Sequence, residues 1–75
     1  MKELVEFMAR ALVESPEDVH VSERVYRERI VLRLQVAPGD AGRVIGKNGR
    51  VANAMRSVLK VASIRQSRDV ILKIM

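Results

Sequence analysis

Val44-Ile45-Gly46-Lys47-Asn48-Gly49-Arg50 is the stretch on which the reading of this chain turns. Two glycines enclose a Lys-Asn pair, an apolar pair precedes them and a basic residue follows. Without a Cβ, glycine lets the chain turn sharply and lets another molecule's backbone come close to the peptide groups. A lysine held between two such positions is placed to meet an anion. The runs on both sides have helical patterning, so the loop is expected to join two helices.

Downstream, Val51, Met55, Val58, Leu59 and Ala62 form an apolar stripe, with Asn53, Arg56, Ser57 and Lys60 opposite. That periodicity predicts a helix over about 50–64. Upstream, Pro38-Gly39 breaks the chain, and Asp40 is positioned to N-cap a very short helix over 41–45. Before it, Ile30, Leu32, Leu34 and Val36 point one way while Val31, Arg33 and Gln35 point the other, the strongest strand pattern present. Val19 and Val21 alternate with His20 and Ser22, and Val25 and Tyr26 follow. These two runs read as an antiparallel hairpin turning near Arg27-Glu28, although no Asn-Gly or Asp-Gly marks the turn.

At the start of the chain, Leu4, Met8, Ala11 and Leu12, with Val5 beside them, oppose Lys2, Glu3, Glu6 and Arg10. This predicts a helix over about 2–14, ended by Ser15-Pro16 because the residue before a proline avoids the α region. Phe7 is assigned to the helix–sheet core. Val70, Leu72 and Ile74 alternate with Ile71 and Lys73 as a closing strand. The order is α-β-β-α-α-β, and the two-helix connection is long enough to bring the last strand parallel to one of the first two. The expected fold is α+β, one domain over 1–75, with a three-stranded mixed sheet and helices packed on one face.

Composition agrees with one small domain of 75 residues, 48% of them apolar. There is no cysteine, hence no disulfide framework and no Cys-based zinc site. No apolar run approaches the roughly 20 residues of a membrane span. Glu3 and Glu6 in the first helical run do not suit a signal peptide, so a soluble, cytoplasmic protein is expected. The net charge of +5 is uneven. Residues 1–37 carry six Lys/Arg against seven Asp/Glu, whereas 38–75 carry eight against Asp40 and Asp69 alone. The positive excess lies in the half that contains the loop, which points to a polyanionic partner, nucleic acid first. A merely solvated basic surface is the plainer alternative.

Spacing eliminates two nucleotide motifs. A P-loop needs glycine five residues before Gly46 and Ser/Thr after Lys47, where this chain has Ala41 and Asn48. A dinucleotide fingerprint needs G-x-G-x-x-G, whereas Gly42, Gly46 and Gly49 read G-x-x-x-G-x-x-G. A helix starting at Arg50 would offer unpaired N–H groups and a dipole favouring an anion. Lys47 and Arg50 add formal charge there, with Arg43 one turn upstream. A single strand's sugar-phosphate backbone could then run across Gly46–Gly49, its bases turned into an aliphatic groove beside Val44 and Ile45.

The run Pro38-x-Asp40-x-Gly42-x-Val44-Ile45-Gly46-Lys47-Asn48-Gly49-Arg50, followed by Ala52, Ala54, Met55 and Arg56, resembles the signature of a KH domain. In that module a G-x-x-G loop clamps four nucleotides of backbone. The order of elements resembles the bacterial type II arrangement, and the length is similar to that of the small stand-alone bacterial KH proteins of the KhpA type. The resemblance covers essentially the whole chain. It implies single-stranded RNA binding in the cytoplasm, in the manner of an RNA chaperone or post-transcriptional regulator. It also implies self-association as a homodimer and pairing with a larger KH-containing protein. The departures are Met55, where such proteins often have isoleucine, and a hairpin turn without the usual glycine or acidic residues.

Phe7 and Tyr26 are the only aromatics, so base-stacking platforms have little material. Recognition must rest on backbone capture at Gly46, Lys47, Asn48 and Gly49, aided by Arg50 and Arg43, with Val44 and Ile45 serving both core and groove. Each has a plainer alternative: a helix–helix turn for the glycines and Asn48, a solvated face for the arginines. Arg56 and Lys60 read as ordinary surface and His20, the one histidine, as structural. No catalytic set, metal ligand set or cofactor motif is visible, so no enzyme is expected. A protein-interaction or dimerisation module with a vestigial loop is the competing reading.

Overall fold

The computed structural model describes residues 1–75. The chain runs α1 (Lys2–Leu12), β1 (His20–Val25), β2 (Arg29–Gln35), α2 (Ala41–Ile45), α3 (Arg50–Gln66) and β3 (Asp69–Ile74). Short 3-10 turns occupy Pro16–Asp18, Pro38–Asp40 and Lys47–Gly49. The sheet order is β1-β2-β3, with β1 antiparallel and β3 parallel to β2. The α+β order, the mixed sheet and the helix boundaries expected from sequence are all present, within a few residues.

The central strand explains the topology. Ile30, Leu32 and Leu34 of β2 are buried, and β2 alone is hydrogen-bonded on both sides. Val5 and Ala9, four residues apart on one face of α1, are fully buried with them. Ala52, Met55 and Leu59 supply the corresponding face of α3, and Leu72 that of β3. The hairpin turns at Arg27-Glu28, closed by the Tyr26 N–H donating to the Arg29 carbonyl at 2.7 Å. Neither turn residue has a positive φ, so this is not a primed turn. The Glu28 carbonyl instead accepts from the Asp69 N–H at 3.0 Å, which ties the turn to the start of β3.

Three expectations fail, each for a geometric reason. Phe7 is not in the core but 73% exposed. With Val5 and Ala9 facing the sheet, a residue midway between them lies on the far side of the helix. Val58 is likewise 44% exposed, because the inward face of α3 is the narrower stripe through Ala52, Met55 and Leu59. Asp40, finally, makes no capping hydrogen bond to α2. Its buried carboxylate accepts the Glu14 and Ser15 N–H groups, each at 3.1 Å. That capture, with the proline at 16, pulls the chain out of helical form after Leu12 rather than at 14.

Candidate nucleic-acid interface

Gly46 ends α2, its N–H donating to the Gly42 carbonyl at 2.8 Å, and its φ of 75° and ψ of 172° turn the chain sharply. A Cβ there would stand 2.5 Å from Val51 Cγ2 and 2.9 Å from the Val51 backbone nitrogen. The close approach that requires glycine is therefore made by the chain's own third helix. Asn48 (φ 58°) and Gly49 (φ 75°) are left-handed in succession, and the turn is closed by the Gly49 N–H to the Gly46 carbonyl at 3.2 Å. A Cβ at Gly49 would meet only Asn53 Nδ2, at 3.8 Å. Gly49 is thus required by its dihedral alone. Asn is the non-glycine residue that best tolerates that region, which accounts for Asn48.

The result is a tight, exposed turn set on the N-terminus of α3. Lys47, Asn48 and Arg50 are exposed, and neither cation pairs with a carboxylate. Helix-start N–H groups and two free cations make the turn attractive to a phosphate. Ile45, 41% exposed, adds an aliphatic surface beside it. Val44 does not: it is fully buried, so its part in a groove is corrected to a core role. Arg43 is drawn away as well. Its Nε lies 3.3 Å from Asp40 Oδ1, and its guanidinium also pairs with Glu14. Together these three side chains staple the end of α1 to the start of α2.

Arg56 and Lys60, which the sequence reads as ordinary surface, lie on the helix that starts at the loop, beside the sheet edge. Asn53, Arg56 and Lys60 follow one another along a single face of α3, beginning next to Gly49. Arg56, Lys60 and Ser63 then border the most spacious depression of the surface, about 480 Å³, with the Asp69–Leu72 segment of β3 opposite. Ligand clefts occupy roughly 300–1,000 Å³, so this is room enough for a small occupant. Arg56 reaches the free edge of β3, donating to the Leu72 carbonyl at 3.3 Å. The loop, the polar face of α3 and the β3 edge form one continuous path of cations and backbone donors. No local signal reveals it, because Arg56 and Leu72 are 16 positions apart and meet only when the chain folds β3 back along α3.

A second depression, between α1 and α3, is wholly apolar, lined among others by Phe7, Leu12, Ala54 and Val58. Exposed Val61, one turn beyond Val58, extends it along α3. No helix of the chain is long and apolar enough to cross a membrane.

Comparison with known proteins places this architecture. The KhpA/KhpB KH-domain family matches residues 2–74. A protein named RNA-binding protein KhpA from Clostridium perfringens is 53% identical over 74 residues, covering 99% of both chains. Proteins of the same name from Halalkalibacterium halodurans and Clostridium acetobutylicum are 50% and 46% identical, each across 99% of this chain and 97% and 99% of the relative. No solved structure matches the chain. With the match running from end to end at such identity, the chain belongs to the KhpA/KhpB KH-domain family.

Proposed function

We propose that this is a non-catalytic, cytoplasmic single-stranded RNA-binding protein that holds the RNA backbone at Gly46–Gly49. The bases turn past exposed Ile45 beside the loop and on toward the depression between α3 and the β3 edge. The observation that carries this reading is the left-handed turn at the start of α3, whose two cations have no acidic partner. The names of its relatives support RNA as the ligand. With no aromatic on this path, affinity comes from phosphate contact and a few hydrogen bonds to base edges, so one domain reads sequence loosely. Such a protein acts as an RNA chaperone or post-transcriptional regulator.

Replacing Lys47 and Asn48 together with aspartate tests the clamp. New carboxylates would repel phosphate at an exposed turn, so binding of a labelled single-stranded RNA should fall at least roughly tenfold while the thermal transition is kept. Undiminished binding by a folded variant would remove the loop from the mechanism.

One observation favours protein interaction alongside RNA binding. Phe7, Val58 and Val61 expose apolar surface on adjoining helices, away from the loop's cations. Contiguous patches of that kind mark protein contacts. A second copy of the chain, or a larger KH-containing protein, would cover it.

A further inference from the structure

The solvent face of the sheet belongs neither to the core nor to the proposed clamp. Strand register sets Ser22, Arg33 and Lys73 in one row across it and Arg24, Val31 and Ile71 in the next. Arg33 and Lys73 are therefore aligned neighbours on adjacent strands, and Arg24 is diagonal to Arg33. Like charges so placed repel and cost stability. None of the three has a carboxylate within salt-bridge distance. The one acid these strands turn to that face, Asp69, lies four residues before Lys73 at the start of β3, aligned with Arg29. Val31 and Ile71 give the centre of the face an aliphatic floor, and none of its strand positions is aromatic.

A row of unpaired cations that the fold does not use fits a polyanion. Its position selects which one. Lys73 stands on β3, the strand whose free edge closes the depression at Arg56 and Lys60. A chain leaving that depression over the edge meets Lys73 first, then Arg33 and Arg24. These span two strand spacings, about 10 Å. We propose that the open sheet face is a second, sequence-independent contact for the same RNA strand, holding phosphates along Lys73, Arg33 and Arg24. This rests on the reading of the chain as an RNA binder. It extends the footprint of one domain from the clamp, across the β3 edge, to the opposite side of the molecule.

The test compares oligouridylates of 4 and 16 nucleotides on the 15N-labelled chain, with Arg33→Gln/Lys73→Gln and Lys47→Asp/Asn48→Asp as variants. The tetranucleotide should shift amides of residues 46–53 and of the β3 edge at 70–72, and only the longer RNA should also shift those of Arg24, Arg33 and Lys73. Arg33→Gln/Lys73→Gln should bind the 16-mer at least roughly tenfold more weakly at 50 mM salt. Its log–log salt slope should be shallower by about 1.4, or 0.7 for each lost phosphate contact on a single strand. Its binding of the tetranucleotide should be unchanged and its thermal transition kept or slightly raised, since both substitutions are exposed and remove a repulsion. Unchanged 16-mer affinity and slope, or an equal loss for both lengths, would overturn the proposal. If the Lys47/Asn48 variant binds normally while the sheet variant does not, the clamp fails and the sheet contact stands. If the wild-type chain binds neither RNA, both fall.

Discussion

Gly46 and Gly49 look equivalent in a G-x-x-G motif, yet they are glycine for different reasons. At Gly46 a methyl group would press on both the side chain and the backbone of Val51, on top of a positive φ. Gly46→Ala should therefore cost about 2–3 kcal/mol, because the helix start must shift to admit it. Gly49→Ala has open space and pays only for the left-handed dihedral, about 1–2 kcal/mol. Urea titration of the two variants should rank them in that order. Equal losses would mean that the loop is slacker than its geometry. RNA affinity lost with Gly46→Ala thus reports folding as well as binding, which makes Lys47 and Asn48 the cleaner probes. Asp40 is a second single-residue case. Asp40→Ala leaves the Glu14 and Ser15 N–H groups without their acceptor and should cost about 2–3 kcal/mol, read as a lower urea midpoint at constant slope.

At the scale of elements, α3 carries both halves of the molecule's chemistry. Its inward stripe anchors the core, its polar face extends the loop toward β3, and its third side is the exposed apolar run through Val58 and Val61. The helix ends at Ser67, whose φ of 55° is the left-handed cap conformation usually filled by glycine, with its N–H on the Ser63 carbonyl. The absence of a glycine there is why the sequence places the end of the helix near 64 rather than at Gln66. Ser67→Gly should stabilise the protein by about 0.5–1 kcal/mol, the relief of left-handed strain less the added chain entropy. A differential scan reads this as a raised Tm. A lowered Tm would show that the serine side chain contributes something the backbone does not reveal.

For the whole molecule, function follows from how charge and apolar surface are separated. Cations collect on the loop, the polar face of α3 and the open sheet face, while the apolar excess lies between α1 and α3. Binding and self-association should therefore be separable. Phe7→Glu/Val61→Glu places charges in that apolar run alone. If that run joins two copies, sedimentation equilibrium of the wild type should show a dimer and that of the variant a monomer, with RNA binding per domain retained. A wild-type chain that stays monomeric at high concentration would leave the run to a different protein partner.

Sequence by itself determined the element order, the parallel return of the last strand and the position of the loop. Each of these is local: a period of two in Ile30–Val36, a helical period after Arg50, and glycines where the backbone must turn left-handed. Tertiary structure alone decided which residues those elements present. Phe7 has the same local apolar pattern as Val5, but the sheet covers only one side of α1. Asp40 has the composition of a cap, yet the nearest unpaired donors are 25 and 26 positions away in sequence, at Ser15 and Glu14. Arg56, Lys60 and the β3 edge become one surface only when the parallel crossover sets α3 against β3. Burial and pairing depend on what lies across space, and local periodicity carries no record of that.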